Sequence, residues 1–394
     1  MTIKKGGYMI GDKFKSELKT VIDSKTGHQI IQLTGGNSNN FHFYFTENSF
    51  VKGKPEIYFF SDRGSKTEFQ YNLFSMNLDT GVMTQLSDCP SPMGHNATKT
   101  LDGKYIFYTA GNKLRRIDTG TLEEKVIYEN DPGFRLGMVS LNASETKAGF
   151  ARNEEIGISS GKNYAGFRET MFAIKRSFIT VVNTDGSNPY DAFFDTHHTA
   201  HFQFSPDDDT IATFCHEGPW NLVQQRIWII DFMPRSVIPC FRQEEDDSVG
   251  HEFWTRDGLI FFDNRRAGHD GTITSERKQT YAVEPEQKQT PYIGFCDKRG
   301  KVLRTVDMPF YCNHYHANND NSILVGDDVD DLQLINIADG SARMQTLCYH
   351  GTSWYGQSTH CHPTFDWDGR YVLYTSDFGG KHNLYMIDTW QVKW

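Results

Sequence analysis

One unit recurs along the 394 residues: an apolar strand, a polar turn rich in Asp, Asn and Gly, a second apolar strand, then a third that ends in Asp or Asn. Its clearest copies are Leu101–Thr109 (LDGKYIFYT) followed by Leu114–Asp118, and Phe365–Asp377 (FDWDGRYVLYTSD) followed by Asn383–Asp388 (NLYMID). Weaker copies turn near residues 145, 208, 257 and 320, and an atypical one near 53 continues as Ile57–Asp62 and Asn72–Asn77. With turns near 53, 102, 145, 208, 257, 320 and 368, the period is roughly 40–65 residues, a spacing that reads as four short strands per unit. The expectation is an all-β chain, a seven-bladed β-propeller with four-stranded antiparallel blades. No Pro- or Ser-rich linker divides it, so residues 1–394 are read as one domain. Two insertions, about 153–175 and 265–290, account for the long intervals and are expected to rise from the channel rim. Residues 1–26 are read as a leading strand or short helix that closes the ring against the last blade.

Composition narrows the function classes. A formal net charge of -10 argues against broad binding to nucleic acid or to an anionic membrane surface. No run approaches the ~20 apolar residues of a membrane span, and the N-terminus lacks an apolar signal core. The seven cysteines are scattered and never spaced Cys-x-x-Cys, which disfavours both a disulfide framework and a thiolate metal site. A reducing cytoplasm is the simplest location.

Histidines keep step with the repeat. His95 and His201 lie seven residues before Asp102 and Asp208, while His251, His314 and His362 lie six before Asp257, Asp320 and Asp368. His42 stands in a similar place ahead of the first turn. In a propeller the strand before this turn is the innermost of its blade, so five blades offer a histidine at one level of one channel. An isolated histidine there would ordinarily bond a neighbouring blade's backbone. The segment Gln357–Pro363 (QSTHCHP) is less ordinary. His360 and His362, one residue apart on an extended strand, point the same way, and Gln357 arrives from the preceding loop. Together they can supply three neutral ligands to a divalent metal. A further same-face pair, His314 and His316, falls in Asn313–Asp320 (NHYHANND), and His216, Glu217 and Arg226 share one blade.

The strand ending Tyr-x-Ser-Asp followed by Leu-Tyr-x-x-Asp resembles the TolB-like propeller repeat, which specifies fold but not chemistry. Three motifs are more specific: His216–Trp228 (HEGPWNLVQQRIW), His251–Trp254 (HEFW) and Gln357–Phe365 (QSTHCHPTF). They resemble those of the oligogalacturonate lyases, manganese-dependent seven-bladed propellers, with the similarity carried by residues 195–390. The resemblance implies a divalent metal, Mn2+ above others, held by His314, Gln357, His360 and His362, with His316 as a possible substitute for His314. It implies His251 as the base and Arg226 as the arginine attending the reacting uronate; His201 and His216 are read as further substrate-binding residues. The implied substrate is an acidic oligosaccharide, an oligogalacturonide of pectin cleaved by β-elimination. All-N/O ligation fits manganese without excluding zinc, iron or nickel. The sequence leaves the oligomeric state, monomer or dimer, open.

Two other readings of these residues stand beside this one. A non-catalytic TolB-like propeller would bind a partner in its channel but has no use for the Gln-x-x-His-x-His cluster. A metal-dependent hydrolase or lactonase would ordinarily draw on carboxylate ligands, and no acidic set recurs at the channel positions.

Overall fold

In the computed structural model the chain is almost entirely β. The structure describes residues 9–89, 91, 93–158, 165–265, 271 and 290–394, and the side chains of His95 and Gln357 lie outside that description. Seven antiparallel sheets follow one another in chain order and form a seven-bladed propeller. Five blades have four strands and two have five. The turn residues explain the hairpins: Gly53, Gly103, Gly258 and Gly369 all have positive φ, as do Glu145 and Asn321 at the equivalent turns. At Gly103 a Cβ would come within 2.7 Å of Val51, so a side chain is excluded by packing as well as by conformation.

The ring is closed by N-terminal strands. Lys19–Ile22 and Gln29–Gln32 complete the seventh sheet, with Ile30 opposite Ile387 and Gln32 opposite Tyr385. The two-residue strand Lys13–Phe14 instead joins the first blade, pairing with Met83–Gln85. The closing segment therefore reaches past the 1–26 read from the sequence. It does so because the alternating pattern of Gln29–Gln32 (QIIQ) offers Ile30 to the core of the last blade.

Apolar side chains pack between neighbouring blades. Phe41, Phe60 and Leu73 of the first blade meet Ala97, Ile106 and Tyr108 of the second, and Phe253, Phe261 and Phe295 of the fifth meet Tyr315, Leu324 and Ile335 of the sixth. Each such buried side chain contributes roughly 1.5–3 kcal/mol, so stability is spread around the ring rather than held at its centre.

The centre is crossed by Tyr44–Asn48, which follows the inner strand Asn40–His42. Phe45 is fully buried among Phe253, Tyr315 and Leu324 of blades five and six. Glu47 accepts a hydrogen bond from Thr98 Oγ1 of blade two at 2.5 Å, and Asn48 Nδ2 donates to the Phe365 carbonyl of blade seven at 2.9 Å. Among the described residues a cavity opens on either side of this plug.

Of the first insertion, the helix Phe167–Ala173 is described, and its Met171 sits where a side chain at Gly218 would be. Of the second, Gly271 lies against the Trp220 indole. Residues 159–164, 266–270 and 272–289 of these insertions lie outside the described residues. All seven cysteines are free and buried. Among the described residues no helix is long and apolar enough to cross a membrane.

Candidate active site

The inner strands carry their histidines to one mouth of the channel by irregular backbone. In Thr199–Phe204 the pairing register shifts between Ala200 and Gln203, and in Val249–Trp254 between Val249 and Glu252, so His201 and His251 each sit in a bulge that re-aims the side chain. His201 and His362 also adopt φ of 48° and 44°, a region non-glycine residues occupy only when their surroundings hold them there. His360 and His362 do not lie on the strand expected for them. The last inner strand is only Thr364–Phe365, and Gln357–Thr359 forms a single 3-10 turn just upstream. The two rings converge because His362 takes the left-handed conformation, not because a pleat alternates.

His314, His360 and His362 each offer a ring nitrogen within 4.8 Å of the others, and all three side chains are buried. His314 Nδ1 lies 2.9 Å from Asp327 Oδ2, which turns Nε2 toward its neighbours. His360 Nδ1 and His362 Nε2 are buried without a hydrogen-bond partner among the described residues. Unpartnered buried imidazole nitrogens are costly in a core and suited to a cation. Burial first, and His314 next, hold His360 and His362 well below the usual histidine range; burial and then Arg265 do the same to His314. Three neutral imidazoles in this arrangement fit a divalent transition ion. His316 lies outside the cluster, stacked on Phe253 at 5.6 Å, with its Nδ1 accepting from the Phe365 backbone N–H at 3.3 Å.

His251 stands next to the triad, its ring centre 4.4 Å from that of His314. Trp220 and Phe45 meet its ring edge to face at 5.2 and 5.7 Å, and Nδ1 is buried without a partner among the described residues. Burial, then His314 and Arg265, push its pKa well below the usual value, so it is neutral near pH 7.

Beyond His251 the site turns ionic. Arg226, 1 % exposed, donates through Nη1 and Nη2 to the two Glu217 oxygens at 3.0 and 3.2 Å, and its Nε is 3.5 Å from Glu252 Oε2. The same two carboxylates flank His201, with Nδ1 3.0 Å from Glu252 and Nε2 3.4 Å from Glu217. Burial opposes charge on His201, but Glu252 outweighs it and the imidazole is held above its usual range. Burial likewise opposes charge on Glu217, yet Arg226 and then His201 bring it down to about 2. His216 is engaged elsewhere: its Nε2 lies 2.8 Å from Asp195, and its ring stacks on His197 at 4.3 Å.

A cavity of about 280 Å³ opens on this mouth, lined by His201, His362, His42, Tyr44 and Asn96. His42 is committed to the fold, bonded to Thr375 Oγ1 and the His362 carbonyl, each at 2.7 Å. Asn96 is not: its amide is buried and neither end has a partner among the described residues. Asn96, Glu217, Glu252, Asp327 and Tyr44 are site residues that histidine counting passes over. Only the acidic neighbours inside His-Glu-Gly-Pro and His-Glu-Phe-Trp gave a visible signal.

The chain is similar to known proteins along nearly its whole length. A family model described as oligogalacturonate lyase matches residues 9–392. An oligogalacturonide lyase of Pectobacterium atrosepticum is 25% identical over 407 residues, covering 95% of this chain and 97% of that protein. An oligogalacturonate lyase of Dickeya dadantii is 25% identical over 409 residues with the same coverage. Among solved structures, an oligogalacturonate lyase in complex with manganese superposes with a TM-score of 0.83 at 25% identity, covering 97% of this chain and 98% of that one.

Proposed function

The chain belongs to the oligogalacturonate lyase family, and from that premise we propose that it cleaves short, unsaturated oligogalacturonides by metal-dependent β-elimination, as a cytoplasmic step in pectin breakdown. The observation that carries this reading is the neutral His251 imidazole beside the His314–His360–His362 cluster, a base next to a cation site.

The reaction removes the C5 proton, alpha to the uronate carboxylate, and expels the O4-linked sugar to leave a 4,5-unsaturated ring. That proton is very weakly acidic, because its loss places a second negative charge on the carboxylate. A divalent cation, with manganese the ion expected, held by His314, His360 and His362 and with Gln357 as a fourth ligand, would supply Lewis-acid neutralisation of that charge. Neutral ligands leave such an ion its full charge. His251 Nδ1, unprotonated and shielded from water by Trp220 and Phe45, accepts the C5 proton. His201, whose charged form Glu252 favours against burial, lines the cavity wall where it can face an anionic substrate. Arg226 holds Glu217 and Glu252 in place and so sets the orientation of His201. The Asn96 amide, with both ends unengaged, is placed to read a sugar hydroxyl.

The test is absorbance near the ultraviolet edge on unsaturated digalacturonate, before and after chelation and after adding manganese back. Elimination makes a conjugated enol-ether acid, so absorbance should rise, stop with chelator and resume with the ion. Full activity after chelation, or new reducing ends without absorbance, would overturn the reading.

A further inference from the structure

On the far side of the Tyr44–Asn48 plug lies a second cavity of about 530 Å³, within the size range of small-molecule sites. Its wall is built from the turn ends of the inner strands. Arg256 lies in the turn just beyond the strand Val249–Trp254 that carries His251; His316 and Gln203 line the chamber, while Phe45 packs against His314 and His362 on the other side of the plug.

Two polar groups in it make no hydrogen bond or ion pair among the described residues. Lys99 is 8 % exposed, and among the described residues its ammonium makes no ion pair and donates no hydrogen bond. Thr46 Oγ1 is buried and also lacks a partner there. Three cations converge on one indole: Lys99 Nζ is 5.8 Å from the Trp367 ring centre, Lys52 Nζ 5.6 Å and the Arg256 guanidinium 4.9 Å. Arg256 is engaged, donating to the carbonyls of Trp367 and Asp366. Lys52 forms no ion pair among the described residues. The acidic side chains of the wall are all taken. Glu47 accepts from Thr98, Glu145 from the Leu101 N–H, and Asp257 from Thr255 and Asn321. Burial pushes Lys99 down to about 8 despite Glu47, Glu145 and Asp102.

We propose that this chamber binds a small anion on a hydroxylated carbon skeleton, a carboxylate or a phosphate ester, with its charge between Lys52 and Lys99 and a hydroxyl on Thr46. A buried ammonium that forms no close ion pair is costly, and an incoming anion offsets that cost while the neighbouring hydroxyls and amides take the skeleton. The site does not depend on the lyase reading, because Lys52, Lys99 and Thr46 are not members of the histidine cluster.

The experiment is calorimetric titration of the full chain with D-galacturonate, galactose 6-phosphate and D-galactose. At least one of the two anions should bind and galactose should not; the tighter anion identifies the class. Lys52→Met and Lys99→Met should each weaken binding by roughly tenfold or more, the share of a charge-assisted contact. His362→Ala should leave it unchanged. Lys52 is exposed, so its substitution spares the fold and keeps the test decisive if Lys99→Met does not fold. Three results would overturn the proposal: no binding of either anion at about 10 mM, affinity indifferent to Lys52→Met, or binding lost in His362→Ala. The last would put the anion in the histidine chamber, and chelator-sensitive turnover then judges the lyase reading separately.

Discussion

Asp327 holds His314 at two points: its Oδ1 accepts the His314 backbone N–H at 2.6 Å, and its Oδ2 lies 2.9 Å from Nδ1. The carboxylate accepts the Nδ1 proton, which leaves Nε2 bare on the side of His360 and His362. Asp327→Asn can donate to Nδ1 instead and drive the proton onto Nε2. Metal affinity should fall by about 10–100-fold, as for other carboxylates that orient a ligand histidine. Competition with a chromogenic chelator measures it.

His251 and the triad should separate cleanly. His251→Ala is expected to lower turnover by ~10²–10⁴ while metal stoichiometry stays at the wild-type value. His360→Ala and His362→Ala should lose metal and activity together, with little change in melting temperature because the interblade cores are untouched. Metal loss in His251→Ala with retention in His362→Ala would invert the assignment.

Arg226→Lys tests whether the fork geometry matters. An ammonium cannot make both bonds to Glu217 and also face Glu252, so about 1–3 kcal/mol of stability should go, along with activity. An unchanged urea midpoint would mean that Arg226 acts on substrate alone.

Asn96→Ala should leave stability within about 1 kcal/mol of wild type, because the lost packing is offset by removing an amide with unmet hydrogen bonds. Its effect should fall on KM, raised roughly tenfold if one sugar contact disappears. Steady-state kinetics on unsaturated digalacturonate decides this.

The plug gives a pH signature. Glu47 is raised to about 7, by burial first, against the hydrogen bond from Thr98 and the charge of Lys99. A raised carboxyl pKa favours the protonated form in the fold, so its contribution is full below the unfolded pKa of about 4.5 and is lost as pH climbs to about 7. Glu47→Gln removes that loss. Relative to wild type it should gain on the order of 2–3 kcal/mol between pH 4.5 and 8, seen in urea denaturation at the two ends.

The ring was legible because each blade repeats the same turn chemistry, and residues such as Gly103 and Gly369 can be read from the recurring Asp-Gly turn alone. The histidine register was legible for the same reason. What brings those histidines together was not. The bulges around His201 and His251 and the left-handed His362 are local departures from the strand period, and a period-two reading places both His314 and His316 on the site face. Only His314 is in the cluster. Arg226 illustrates a different limit. Its motif was plain, but its saturation by Glu217 and Glu252 depends on two blades meeting, which spacing within one chain segment does not reveal.

The pairing of Ile30 with Ile387 also governs how the molecule is made. Six blades can assemble as the chain emerges, each from strands close in sequence, but the seventh must wait for a partner some 350 residues away. Until Asn383–Asp388 is synthesised, Gln29–Gln32 is an unpaired strand edge with Ile30 and Ile31 uncovered, the kind of surface that chaperones hold and that aggregates when they do not.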